Sequence, residues 1–221
     1  MPRLVLLSDT HCAHARITVP EGDVLVHAGD FCSRGKESEV RAFARWFTAQ
    51  PHPHKVVIAG NHDRCLELDL GLGERLFEGA VYLLDSEASV AGLRFYGSPW
   101  QPEFLSWAFN LPRGEPLRAM WAKIPVGVDV LLTHGPPFGV LDRTVRGDLV
   151  GCEELRVAVD RVAPRVHAFG HIHEARGAVL EGRTLFVNAS TCTVGYQPTN
   201  PPFVIDLPED RREPAVVVAG A

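Results

Sequence analysis

The sequence predicts a mixed α/β protein on three observations. First, five short apolar runs each stop at side chains able to ligate a metal. Residues 4–7 lead into Ser8-Asp9-Thr10-His11, 24–26 into His27-Ala28-Gly29-Asp30, and 55–59 into Gly60-Asn61-His62-Asp63. Residues 130–132 lead into Thr133-His134-Gly135, and 166–169 into Gly170-His171-Ile172-His173. Short apolar runs closed by glycine read as buried strands. Second, segments with helical spacing lie between these runs. Third, the polar residues fall where strands end, and ligands of open α/β sheets bind outside the carboxyl ends of the strands. Two Asp, one Asn and up to five His are thereby brought to one edge.

Each element follows in order. Strands are expected at 2–8, 24–27 and 55–60. Val40, Phe43, Ala44 and Phe47 share one helical face, so a helix spans 37–50. A short helix follows near 72–78. Residues 81–84, 89–91 and 94–97 read as short strands of a meander. The stretch 99–127, rich in Pro, Trp and Phe, reads as a long ordered loop with a helix near 115–122. A strand at 129–133, a helix over 153–162 closed by Pro164, and a strand at 166–169 come next. A hairpin follows, with strands near 178–180 and 184–188 around Glu181-Gly182. Residues 203–206 form a last strand. One domain over 1–207 is expected, because candidate ligands from Asp9 to His173 must converge. The remainder, 208–221, reads as a tail whose apolar end, 215–219, offers an edge strand.

Composition narrows the function. Apolar residues make up 46% of the chain, enough for a sizeable core. The formal net charge is −5 and Lys and Arg form no track, which argues against binding nucleic acid by phosphate neutralisation. The chain has no long apolar span, and its first strand starts without a signal peptide. A soluble, cytoplasmic protein without a membrane partner is therefore expected. Oligomeric state is left open. Cys12, Cys32, Cys65, Cys152 and Cys192 are odd in number and lack paired spacing, which points to reduced thiols. None has the Cys-x-x-Cys spacing of thiolate zinc sites, although Cys12 and Cys32 lie near the expected site.

Asp9 and His11 stand two apart and face one side if the strand runs on through them. His171 and His173 repeat that spacing. A lone His at a strand end is commonly structural, but two such pairs facing each other make a metal site. Gly29 lets Asp30 approach closely, and Asn61 adds a neutral carbonyl oxygen. Such a nitrogen- and oxygen-rich set suits Mn, Fe, Zn or Co better than Ca or Mg.

The series Asp9-x-His11, Gly29-Asp30, Gly60-Asn61-His62-Asp63, His134-Gly135, Gly170-His171-x-His173 resembles the signature of calcineurin-like metallophosphoesterases, with all five blocks in order. Further blocks resemble the metallophosphoesterase-domain-containing (MPPED) proteins. They are Gly22-Asp23-Val24-Leu25, Gly97-Ser98-Pro99-Trp100, Phe109-Asn110-Leu111-Pro112-Arg113-Gly114, Thr133-His134-Gly135-Pro136-Pro137, Asn188-Ala189-Ser190-Thr191-Cys192-Thr193 and Gln197-Pro198-Thr199-Asn200-Pro201-Pro202.

The resemblance implies an α/β fold of two mixed β-sheets packed as a sandwich flanked by helices. It also implies a dinuclear site and cyclic-nucleotide phosphodiesterase activity. Carried over residue by residue, one metal takes Asp9, His11, Asp30 and His173. The other takes Asp30, Asn61, His134 and His171, with Asp30 bridging. Mn is the first expectation for both divalent ions. His62 contacts the phosphate or protonates the leaving oxygen, and Asp63 orients it. Some MPPED relatives carry Gly in place of the first His of the Gly-His-x-His block. This chain has His171 there, so an active enzyme is expected.

In the implied mechanism, two metals roughly 3.5–4 Å apart hold phosphate oxygens, acidify a bridging water and clamp the attacking and leaving oxygens in line. Acid catalysis by His62 adds about 10²–10⁴-fold. No Gly-x-Ser-x-Gly elbow offers a covalent nucleophile. Trp100, Trp107, Phe109 and Asn110 sit close in sequence. They either read a base, by stacking and by an amide at its edge, or simply pack a long loop. The MPPED likeness favours a pocket for a nucleotide or other small phosphoester, with Asn61, His62, Trp100 and Asn110 as contacts. A broad phosphomonoesterase or phosphoprotein phosphatase, and a low-activity nucleotide-binding scaffold, are the alternatives.

Overall fold

The central strands are buried on both faces, and alternate side chains turn to different partners. The computed structural model describes residues 1–220. Its first elements are β1 (Arg3–Leu7), β2 (Val24–Ala28), α1 (Glu37–Thr48), β3 (His54–Ile58), α2 (Arg64–Leu68), α3 (Leu72–Leu76) and β4 (Val81–Tyr82). Then come β5 (Ser86–Val90), β6 (Leu93–Ser98), β7 (Gln101–Pro102), β8 (Asn110–Leu111), α4 (Glu115–Trp121), β9 (Val130–Thr133) and α5 (Glu153–Val162). The last are β10 (Val166–Phe169), β11 (Gly177–Glu181), β12 (Thr184–Asn188), β13 (Phe203–Asp206) and β14 (Val216–Ala219).

Twelve of these strands form two six-stranded mixed sheets, and β7 and β8 pair in parallel as a small third one. The first runs β14-β13-β1-β2-β3-β4, parallel from β1 to β4 and antiparallel at β13 and β14. The second runs β11-β12-β10-β9-β6-β5, parallel through β12, β10, β9 and β6 and antiparallel at both edges. Leu4, Leu6, Val24 and Val26 point into the layer between the sheets, against Val130, Leu132, Val166 and Ala168. Their neighbours Val5, Leu7 and Leu25 point the other way, onto α1. That period-two split is what a strand covered on both faces requires.

The outer layers are aromatic. α1 buries Val40, Phe43, Ala44 and Phe47, and Phe43 stacks on Phe31 with centroids 4.4 Å apart. Each buried Phe contributes about 1.5–3 kcal/mol. On the second sheet α5 buries Leu155, Ala158, Val159 and Val162 beside Trp121 of α4. The Cys152 sulfur accepts from the Leu155 amide at the helix start, and Ala163 turns left-handed before Pro164. Among the described residues no helix is long and apolar enough to cross a membrane.

Three details differ from the sequence reading. The stretch 81–97 is not one meander: β4 pairs in parallel with β3 of the first sheet, whereas β5 and β6 form a hairpin in the second. Local pattern cannot tell neighbouring strands of one sheet from strands of two. Second, α2 was not foreseen, being too short for a periodicity to show. Third, β1 and β3 stop at Leu7 and Ile58, before the polar blocks begin, whereas β10 ends at Phe169 as expected. Val216–Ala219 pairs antiparallel with β13.

Candidate metal centre

The strand ends release the chain into turns that no ordinary strand residue adopts. Asp9 (φ 53°), His11 (φ 39°), Cys12 (φ 64°), Asp30 (φ 59°) and His171 (φ 69°) all have left-handed backbone. Such strain persists only where the surroundings fix it, and it concentrates at functional sites. Asp9 and His11 therefore meet through a turn rather than through the pleat of a continuing strand. Likewise, His171 and His173 follow the end of β10, and His173 opens a short 3₁₀ turn. Two glycines make the close approach feasible. A Cβ on Gly170 would lie 1.9 Å from Asp9 Oδ2, and one on Gly60 would lie 2.4 Å from Asp30 Oδ1.

The turns bring eight predicted residues together from both sheets: Asp9, His11, Asp30, Asn61, His62, His134, His171 and His173. Three groups of ligand atoms result: Asp9, His11 and His173; Asp30, His134 and His171; His11, Asp30 and His62. His134 Nε2 lies 2.8 Å from Asn61 Oδ1 and 3.3 Å from Asp30 Oδ2. His171 Nδ1 lies 2.9 Å from the same Asn61 oxygen. His173 Nε2 lies 3.2 Å from His11 Nε2 and 3.4 Å from Asp9 Oδ1. No cysteine belongs to these groups, and all five are free thiols.

Backbone carbonyls fix which ring nitrogen faces inward. The Nδ1–H groups of His11, His134 and His173 donate to the carbonyls of Cys32, Ala28 and Thr193, at 3.0–3.1 Å. A carbonyl can only accept, so each Nδ1 carries the proton and each neutral Nε2 turns a lone pair toward the centre. His11 and His173 thus aim lone pairs at each other, and His134 aims one at the Asn61 oxygen. Opposed donors at such distances repel unless a cation or a proton lies among them. The donor set therefore fits divalent metals.

The electrostatics agree. Burial opposes charge on His134 and His173, yet Asp30 and Asp9 outweigh it and push each ring up to about 9. Burial also works against ionising Asp30 and Asp9, but the surrounding histidines hold both carboxyls well below the usual range. Protons thus compete for the positions a metal would take. Burial pushes His171 down to about 3, leaving it a neutral donor.

Asp63, Trp100 and Asn110 stand outside these groups. The His62 ring is held by the Ser33 carbonyl, which accepts from Nδ1 at 2.9 Å, and by Trp107, stacked at 4.0 Å between centroids. Asp63 does not orient that ring. Its carboxylate accepts the backbone N–H groups of Asp30, Cys32 and Gly60 at 2.8–2.9 Å, locking two strand-end turns together. Burial and the Asp30 charge push Asp63 up to about 7, against the pull of these donors. Trp100 donates from Nε1 to Asp85, and Asn110 bonds to the carbonyls of Phe104 and Leu105.

The cleft beside the centre, 250 Å³, is walled by Phe104, Val194 and Tyr196 instead. Spacing offered no signal for Tyr196, which arrives on a distant loop, and within 99–113 nothing local separates Trp107 from Trp100. Ser190 was also missed as a support: its hydroxyl lies 2.9 Å from Asp9 Oδ2.

Comparison with known proteins decides the family. The calcineurin-like phosphoesterase profile matches residues 2–175. This chain belongs to the calcineurin-like phosphoesterase family. As a metallophosphoesterase it is a hydrolase whose fold implies divalent metal ions. It is 47% identical over 234 residues to the human Metallophosphoesterase domain-containing protein 1, covering 95% of this chain and 72% of the relative. A UPF0046 protein of Caenorhabditis elegans is 37% identical over 221 residues, covering 94% and 76%. Among solved structures, the crystal structure of Thermus thermophilus TT1561 superposes with a TM-score of 0.64 at 13% identity, covering 99% of each chain. Another solved chain reaches 0.74 at 16% identity, covering 100% of each. At such identities the likeness shows the shared fold of this metallophosphoesterase.

Proposed function

We propose that this metallophosphoesterase is a dinuclear phosphodiesterase acting on cyclic nucleotides. One cation is held by Asp9, His11, Asp30 and His173, the other by Asp30, Asn61, His134 and His171. The observation that carries the reading is the pair of opposed lone-pair contacts, His11 against His173 and His134 against Asn61, on either side of Asp30. Mn is the first expectation, from the mix of imidazole, carboxylate and amide donors.

Bound there, divalent cations would supply Lewis-acid polarisation of the phosphate and activation of water. The chain's own residues do the rest. Asp63 and Ser190 hold the turns that carry Asp30 and Asp9. The His62 Nδ1–H is committed to Ser33, so only Nε2, 4.0 Å from Asp30 Oδ2, is free to exchange a proton with a leaving oxygen. Stacking on Trp107 keeps that nitrogen aimed at the cleft. Phe104 and Tyr196 offer faces for a base; Trp100 and Asn110 are engaged in the loop.

The test strips the protein with chelator, restores Mn, and compares 2′,3′-cAMP, 3′,5′-cAMP and p-nitrophenyl phosphate. Faster metal-dependent turnover of a cyclic nucleotide than of the monoester supports the proposal and names the regiochemistry. Turnover of the monoester alone makes the protein a phosphomonoesterase.

A further inference from the structure

A cavity of 600 Å³ opens at the edge of the sandwich opposite the metal centre. Its lining places it there. Asp23, His54, Leu93, Asp129 and Arg165 stand at or just before the first residues of β2, β3, β6, β9 and β10, whereas the metal centre follows the last residues of β1, β2, β3, β9 and β10.

Arg165 is the unusual member. It is only 7% exposed. The one hydrogen bond of its side chain runs from Nη2 to the Pro208 carbonyl at 2.5 Å, and its Nε is buried without a partner. Among the described residues no carboxylate pairs with it. The acids around the cavity are otherwise engaged or exposed. Asp129 accepts the Arg94 amide at one oxygen and faces Arg211 Nη2 at 2.8 Å with the other. Asp23 accepts the Arg3 amide at 2.7 Å. Glu209 lies at the rim with its side chain 87% exposed. Arg183 and Arg211 add positive charge nearby.

A buried guanidinium is tolerated when its charge and donors are met. Here the chain meets only one of the donors, and the nearby carboxylates of Asp129 and Asp210 are tied to Arg211 and Arg212, while Arg165 borders open volume. A planar fork of N–H donors matches the oxygens of a carboxylate or phosphate. Pro53, Ala91, Leu93 and Pro208 supply apolar wall. We propose that this cavity binds a small organic oxyanion, its carboxylate or phosphate on Arg165 and its apolar body against those walls. The site is separate from the metal centre and does not depend on the reading of its reaction.

The experiment is thermal denaturation of the metal-loaded protein, wild type and Arg165→Met, titrated with benzoate and, separately, with inorganic phosphate. The wild type is expected to gain about 5 °C or more at roughly a hundredfold excess over Kd, and the variant to lose that gain. A response to benzoate alone assigns a carboxylate, and a response to phosphate alone assigns a phosphate. In anion-poor buffer the variant is expected to melt at or above the wild type, since an unpaired buried charge has been removed. Its phosphoesterase kcat is expected to be unchanged. A shift of equal size in the variant puts the anion elsewhere, the metal centre included, and overturns the proposal. So does a wild type without any saturable shift. Arg165→Gln repeats the test if the Met variant does not fold.

Discussion

Asp30 sits among donors that no hydrogen-bond pattern satisfies at once, and two residues beside it separate metal binding from proton transfer. His171 reaches the centre through Nδ1 and shares the Asn61 oxygen with His134. His171→Gly should therefore lower bound metal from two per chain to about one by elemental analysis; two retained would refute its place as a ligand. His62 faces Asp30 from a longer distance, with its ring held by Ser33 and Trp107. His62→Ala should keep both metals and lose about 10²–10⁴-fold in kcat. Loss of metal in that variant would make His62 a ligand instead.

The 101–110 loop shows what a short element contributes. β7 and β8 close its base, and Asn110 bonds to the Phe104 and Leu105 carbonyls. α2 holds its far side: Glu67 accepts the Phe109 amide at 2.6 Å, and Arg64 donates to the Ser106 carbonyl. The loop thereby carries Trp107 to His62 and Phe104 to the edge of His171. Asn110→Ala should loosen it and raise KM roughly fivefold, for about 1 kcal/mol of lost ordering, with metal content unchanged. Were Asn110 reading the base instead, the ratio of adenine to guanine cyclic nucleotide turnover would change, which steady-state kinetics on both would reveal.

At the scale of the whole molecule, both metal and pH act on stability. Cations that bind the folded centre and not the unfolded chain add stability by mass action. Chelation should lower Tm by about 5 °C or more, and Mn should restore it; a Tm indifferent to chelator would contradict a metal centre that bridges both sheets. The pH response belongs to the core. His167 lies between Phe169 and Phe186, its Nε2 2.8 Å from Thr133 Oγ1, and burial pushes it from 6.5 down to about 3. Unfolding lets the ring take up a proton between those values. Its contribution is complete above about pH 6.5 and is lost as pH falls toward 3. Urea denaturation of His167→Gln should show a shallower fall in stability between about pH 7 and about pH 4 than the wild type; equal slopes would remove His167 as the cause.

The sequence by itself determined most of the strands, the long helices and which polar residues the strand ends gather. Continuous apolar runs and the polar blocks at strand ends are local signals, fixed by which side chains water excludes. Asp9, His11, Asp30, Asn61, His62, His134, His171 and His173 were legible for that reason. Only the tertiary structure decided that β4 and β5 belong to different sheets and that Asp9 and His171 meet through left-handed turns. It alone set Asp63 to lock backbone rather than a ring, placed Trp107 against His62, and brought Phe104 and Tyr196 to the cleft in place of Trp100. Those outcomes depend on contacts between segments far apart in the chain. Such contacts are set by how layers pack and by which backbone donors are left to satisfy, and no local pattern records either.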